Sequence, residues 1–255
     1  MIFRHSIRSS KLRALGFLLC LTFSSLGAAV DKPVPPGLNL GEWELELAAN
    51  LAVDGRAGRP SGLGSLQAAV AFTPLSFWAT ELGFNAAQDA SGRSLVPESF
   101  SWENRFQITE PDAFWVDLGV SLAYERMLSP ADSDELEAKI LIEKLTGGWL
   151  HTLNLALAKP LFGSNPGGFQ GGLVYGGRLR WLEALEPGVE WHSDFGELQA
   201  LLPLAQQVHL AGPAVTGRIA RHWNYTAAWL FGLCEAAPRG LLRANLEYEF
   251  SSAER

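Results

Sequence analysis

An all-β chain closed into a transmembrane antiparallel up-and-down β-barrel of about twelve strands is what the sequence predicts, on three observations. The N-terminus has the layout of an export signal. Beyond it, segment after segment alternates apolar and polar residues over roughly ten positions, the length a tilted strand needs to cross a bilayer. The connectors mostly alternate long and short, as they do where one end of a barrel carries tight turns and the other carries loops.

The export signal occupies residues 1–29. Arg4, Arg8, Lys11 and Arg13 form a basic region, Ala14 to Phe23 an apolar run, and Gly27, Ala28 and Ala29 a small-residue cleavage site. An apolar run of about ten residues is too short to anchor a helix in a bilayer, so cleavage after Ala29 is expected. Cys20 follows Leu18 and Leu19 and lacks the small neighbours of a lipoprotein site. Past the signal only Cys234 remains, which rules out an internal disulfide or a cysteine metal cluster. The 255 residues carry a formal charge of −7, and loss of the four basic leader residues takes this to about −11, a charge that repels nucleic-acid phosphates. No later run is long and apolar enough for a transmembrane helix. No cofactor is expected.

Residues 30–40 are Pro-rich (Pro33, Pro35, Pro36) and read as an extended periplasmic lead-in to a barrel at 41–250, with a tail at 251–255. The first strand, Gly41 to Val53, sets Trp43, Leu45, Leu47 and Leu51 against Glu42, Glu44 and Glu46. Leu63 to Thr73 follows, then a strand from Trp78 with Glu81 and Asn85 on its polar face. Ser99 to Thr109 opposes Phe100, Trp102 and Phe106 to Ser101, Glu103, Arg105 and Gln107. The fifth strand opens at Phe114, with Asp117, Ser121 and Glu125 on its polar side, and the sixth sets Leu136, Ala138, Ile140 and Ile142 against Glu137, Lys139 and Glu143. Gly147-Gly148 signals a two-residue hairpin. Leu153, Leu155 and Leu157 mark the seventh strand, and Phe169 to Trp181 the eighth, with Arg178 and Arg180 on the polar face. Pro187-Gly188 turns into a ninth carrying Glu190, His192 and Asp194. Leu198 to Gln207 reads as a short helix or folded-in loop. Gly212 and Pro213 interrupt the tenth strand, Tyr225 to Leu233 is the eleventh, and Gly240 to Phe250 closes the series.

Successive strand residues point to opposite faces, so each apolar face looks at lipid and each polar face into a lumen. A two-sheet sandwich also concentrates aromatics inside. Its solvated faces would be evenly charged, however, whereas these are acidic in the first strand, basic in the eighth and small in the second and seventh. The lumen wall is therefore expected to carry Glu42, Glu44, Glu46, Glu103, Arg105, Asp117, Glu137, Lys139, Arg178, Arg180, Glu190, His192, Asp194, Arg243, Glu247 and Glu249. Because the last strand closes on the first, Arg243 is expected to meet Glu44 or Glu46. Arg178 and Arg180 are expected to meet Glu190 and Asp194. Such a set either fills a narrow barrel with ion pairs or lines a path for a small polar solute.

With its leader, its alternating strands, its PGVEWHSDF segment (Pro187 to Phe195) and its closing LEYEF (Leu246 to Phe250), the chain resembles Gram-negative outer-membrane β-barrel proteins. It is similar in particular to an uncharacterised proteobacterial barrel group described as transporter-like. The resemblance implies contact with outer-membrane lipid and recognition of Leu246, Tyr248 and Phe250 by the barrel-assembly machinery. It departs from the pattern in the tail after Phe250. A small channel or transport barrel is the leading expectation, a closed structural or partner-binding barrel the alternative, and a lipid-modifying enzyme a third. Against the enzyme, Ser193 points away from its neighbours His192 and Asp194, as Thr152 does from His151, which leaves open only a dyad formed across strands. Glu190, His192 and Asp194 share a face, but an ion-paired cluster with the arginines is expected there, with no metal.

Overall fold

The computed structural model describes residues 30–56, 61–89, 94–161 and 167–251. Twelve strands follow one another: β1 (Glu42–Val53), β2 (Gly62–Leu75), β3 (Trp78–Gln88), β4 (Leu95–Gln107), β5 (Asp117–Met127), β6 (Glu135–Thr146), β7 (Trp149–Pro160), β8 (Gln170–Leu179), β9 (Glu186–Glu197), β10 (Val208–Ile219), β11 (Trp223–Gly232) and β12 (Gly240–Ser251). Each pairs antiparallel with its sequence neighbours, and β12 pairs with β1 from Glu42↔Ser251 to Val53↔Gly240, so the sheet closes. Closure leaves no strand edge unpaired, the condition for backbone to sit in hydrocarbon. The export signal and the end of the tail lie outside the described residues.

The outer face is what a bilayer requires. Leu45 and Leu47 on β1, Leu82 on β3, Trp102 on β4, Leu122 on β5, Ile140 on β6 and Leu155 on β7 all project outward, exposed. In water this belt would be a large apolar patch; in an outer membrane it is the lipid contact surface. At the rim where β1 begins and β12 ends, Trp43 stacks on Phe72 at 4.4 Å and lies 6.3 Å from Phe250, and Trp223 meets Tyr248 at 4.9 Å. Amphipathic rings at this level form the interfacial girdle of such barrels. Placing a cation in the belt breaks it: Leu82→Arg is expected to destabilise the folded barrel by about 2–4 kcal/mol if the site lies near the bilayer midplane, read as a lowered urea midpoint in lipid vesicles.

The short connections, such as Gly147-Gly148 with φ of 56° and 86°, share an end with the start of β1 and the end of β12. Short turns face the periplasm in outer-membrane barrels, which sets the orientation. Three boundaries differ from expectation. β5 begins at Asp117, because the Pro111-Asp112 turn, with Asp112 at φ 61° and the Ala113 amide bonded to the Glu110 carbonyl at 3.1 Å, keeps Phe114 and Trp115 in an exposed connector. β10 runs through Gly212 and Pro213 in unbroken register with β9, while its pairing with β11 skips those two residues, so the amide that proline lacks falls where no rung is made. β9 begins at Glu186, so Pro187 and Gly188 lie inside the strand and the turn comes before them, because both still pair with β10. As expected of a short helix or folded-in loop, the segment after β9 forms two short 3-10 turns, Leu198–Ala200 and Leu204–Gln206.

The largest difference concerns residues 30–39. This stretch does not trail away on the periplasmic side as a lead-in. It enters the barrel.

Candidate functional site

Glu44 and Glu46 sit two apart on β1 and so share the inner face, while β12 places Glu247 directly opposite Glu46. Like charges opposite one another destabilise a strand pair. The three carboxylates offer oxygens all within 4.8 Å of one another, the spacing of a cation cage, and the cation they hold is the ammonium of Lys32. Its Nζ lies 2.7 Å from Glu46 and 3.2 Å from Glu44 and also bonds Glu247. Arg105 on β4 approaches Glu44 from the far side at 3.8 Å. Burying charges is repaid only when each is paired and hydrogen-bonded, and here the pairing is three carboxylates on one lysine.

Lys32 belongs to a strap, residues 31–39, that crosses the lumen from the periplasmic rim. At that rim the Glu42 amide bonds the Asn39 carbonyl at 3.2 Å, and Gln107 on β4 accepts the Leu38 amide at 2.8 Å. Higher up, Asn154 on β7 clamps Val34 from both sides, accepting its amide at 2.7 Å and donating to its carbonyl at 2.8 Å. Asp31 reaches Lys139 on β6 at 2.8 Å, and Lys139 also holds Glu137 at 2.8 Å. Val30 then packs against Leu210, Leu230 and Leu241, an apolar cluster closing the long-loop half between β10 and β12.

Proline explains why this stretch tolerates the interior. Pro33, Pro35 and Pro36 carry no backbone donor and hold φ near an extended value, so the strap has few polar groups to satisfy away from a sheet. The wall is cut to fit it. A Cβ built on Gly176 would come within 2.7 Å of Pro33, and one on Gly119 within 2.9 Å of Pro36. Gly176→Val is therefore expected to push the strap off the wall without altering a charge, which should raise small-sugar influx in liposome-swelling assays several-fold over the parent.

The other charged groups form two further clusters. Arg243 on β12 is 1% exposed and makes a two-pronged contact with Glu190 on β9, its Nε at 3.1 Å from Oε2 and its Nη2 bonded to Oε1. His192 Nε2 lies 3.0 Å from the same Oε2. Arg243 thus meets neither Glu44 nor Glu46: its β1 neighbour in register is Asn50, and its side chain reaches across β11 and β10 instead. Nor do Arg178 and Arg180 reach Glu190 or Asp194. Both pair with Glu186, at 3.4 and 2.6 Å. The β8–β9 register sets Arg178 beside Gly188 and carries Asp194 up to Gly172 near the opposite end of the strand. Asp194 is exposed there and accepts the Gly196 amide at 2.8 Å. At the periplasmic rim Glu249 meets Arg218 at 3.3 Å, and Asp117 accepts the Asp112 amide at 2.8 Å. Glu103 lies on the inner face of β4 with Arg105.

Between the strap and the wall of β7–β12 lies a cavity of about 620 Å³, flanked by Pro33 and Pro35 on the strap side and by Arg178, Arg180, Glu186 and Arg218 on the other. Glu190 and Glu247 mark its deep end. The site is a barrel interior crossed by a segment that is not part of the wall.

An antiparallel twelve-stranded barrel with a lipid-facing belt is an outer-membrane β-barrel. Among solved structures, the chain is similar to the COG4313 outer membrane channel from Pseudomonas putida F1, with a TM-score of 0.61 and 12% identity, over 87% of this chain and 100% of that one. It is also similar, more distantly, to the CymD monoaromatic hydrocarbon channel (TM-score 0.47, 8% identity, 84% and 89% covered). Omp33 from Acinetobacter baumannii gives a TM-score of 0.43 at 10% identity, with 82% and 97% covered. The first of these likenesses carries the fold. No family model matches the sequence, and no curated protein matches it.

The strap and its anchors escaped the sequence reading. Lys32, Asn154 and Gln107 stood outside the expected charged set, although the excess of glutamates on the paired first and last strands called for a cation.

Proposed function

We propose that the protein is an outer-membrane channel for small polar solutes whose resting lumen is closed by the strap, and that the strap must leave for solute to pass. The observation that carries this is the strap itself. It is held by ion pairs, one asparagine clamp and glycine clearances, all reversible contacts, beside a charged cavity that already opens toward the periplasmic rim. The structural likeness to a protein described as an outer membrane channel supports the same reading. Cleavage after Ala29 would make Val30 the mature N-terminus, free to withdraw along the lumen. The outward-facing Leu246 and Phe250, with Tyr248, remain the proposed signal for the assembly machinery.

A specific observation favours the second reading, a closed structural barrel: the Arg243–Glu190 contact and the apolar cluster occupy the long-loop half of the β9–β12 side, and neither uses the ion pairs of Lys32. Planar-bilayer recordings separate the two. The channel reading expects rare, brief conductance steps from the native chain and long-lived steps from Lys32→Ala. The closed-barrel reading expects none from either.

A further inference from the structure

A second site lies on the outside of the barrel, at its long-loop end. β9 and β10 pair so that Ser193 faces His209 directly, on the lipid side. Ser193 Oγ is 2.8 Å from His209 Nδ1. On the far edge of the same ring, His209 Nε2 lies 3.0 Å from Gln207 Oε1.

The proton positions follow from the partners. Gln207 Nε2 donates to the Leu202 carbonyl at 2.7 Å, which fixes which end of the amide is oxygen. An amide oxygen only accepts, so His209 Nε2 carries the hydrogen and Nδ1 presents its lone pair. The Ser193 hydroxyl then donates to Nδ1. Its oxygen in turn accepts the Trp191 indole N–H at 2.9 Å. Nucleophile, base and a neutral group orienting the base thus stand in one polarised chain, the arrangement that activates a serine. Cys234 pins the pieces, its Sγ accepting the His209 amide at 3.2 Å and donating to the Gln207 carbonyl at 2.8 Å.

The surroundings are those of a lipid substrate. Ser193 and His209 are only 7% and 8% exposed, with the Phe195 ring tilted against His209 at 5.9 Å. The connector that supplies Gln207 carries Leu198, Leu201, Leu202 and Leu204 on its exposed surface. An apolar connector next to the lipid belt, anchored at the orienting residue, is a cover that contact with acyl chains can draw aside.

We propose that Ser193, His209 and Gln207 form a hydrolase site acting on acyl esters of lipids in the outer leaflet. Ser193 Oγ attacks the ester carbonyl carbon while its proton passes to His209 Nδ1. The Trp191 N–H, already aimed at Oγ, donates to the oxyanion that forms. The carbon–oxygen bond to the alcohol breaks as His209 returns the proton to the leaving oxygen, which leaves the acyl group on Ser193. Water, deprotonated by the same nitrogen, then releases the fatty acid and restores the serine. Ser193 and His209 are the catalytic pair, and Gln207 is a positioning residue. The lumenal strap takes no part, so this site stands or falls separately from the channel.

The test uses the full chain folded in phospholipid vesicles and a fluorophosphonate probe, which modifies activated serines only. The expected result is one probe adduct, located by peptide mass spectrometry on Ser193, together with fatty-acid release from the vesicles. Ser193→Ala should abolish both, and Gln207→Leu should slow labelling at least tenfold while the heat-dependent gel mobility of a folded barrel is retained. Folded native chain that gains no adduct and releases no fatty acid overturns the proposal without reference to any variant. An adduct on a different serine overturns it equally.

Discussion

Replacing Arg243 by alanine is expected to cost the folded barrel about 3–5 kcal/mol, the penalty of leaving a buried charge without its partner. The guanidinium is among the most deeply buried large side chains described in the chain, and both of its contacts go to one carboxylate, Glu190, which has only His192 besides. Removing the cation leaves the buried Glu190 carboxylate with His192 as its side-chain partner, at the point where β9 and β12 are braced across two intervening strands. Removing both charges is a different matter, since well-packed apolar substitutes for a buried pair are often neutral. Arg243→Met combined with Glu190→Leu should therefore recover most of the loss. Urea titration of the barrel in detergent, followed by tryptophan fluorescence, reads both variants. A cost below about 1 kcal/mol for the single change would mean that the contact does not brace the wall.

Lys32→Ala is expected to have its largest effect on function. Three carboxylates lose the cation they share, with Glu44 alone keeping Arg105, and the strap loses its strongest anchor. The ammonium retains some solvent contact, so the penalty is set below that of a fully buried pair, at about 2 kcal/mol. That shifts the balance between seated and withdrawn strap by roughly 30-fold. Bilayer recordings should show open probability rising by that order. The barrel wall should keep its stability, because every strand pairing remains. Loss of the wall together with the strap would argue that the segment is a structural plug.

The contrast between these two positions shows how far the sequence reaches. Which face of each strand looks inward was legible throughout, because a period of two needs no knowledge of the partner: Glu44, Asn154 and Arg243 could be assigned to the lumen from their own neighbours. Partners within one rung were harder. Arg180 meets Glu186 because the chain turns at Trp181 to Leu185, ahead of the Pro187-Gly188 pair that reads as the turn in the sequence. Contacts that cross the lumen left no trace in the sequence. Arg243 and Glu190 lie three strands apart, and only barrel diameter and side-chain reach bring them together. The strap is the extreme case. A run such as Pro33 to Pro36 is extended wherever it lies, so its pattern is the same in the periplasm and in the pore. Ser193 could be assigned to the outward face from its neighbours, His209 lay unremarked in the interrupted tenth strand, and only the register of β9 on β10 makes them a pair.

The channel reading is tested most directly by locking the strap in place. The Cβ position at Gly119 lies 2.9 Å from that of Pro36, near enough for a disulfide after a small adjustment. Pro36→Cys with Gly119→Cys, in a chain carrying Lys32→Ala and Cys234→Ser, joins strap to wall. Single-channel conductance across a planar bilayer should be absent from the oxidised protein and appear on adding reductant. Conductance that is the same before and after reduction would contradict the claim that the strap closes this pore.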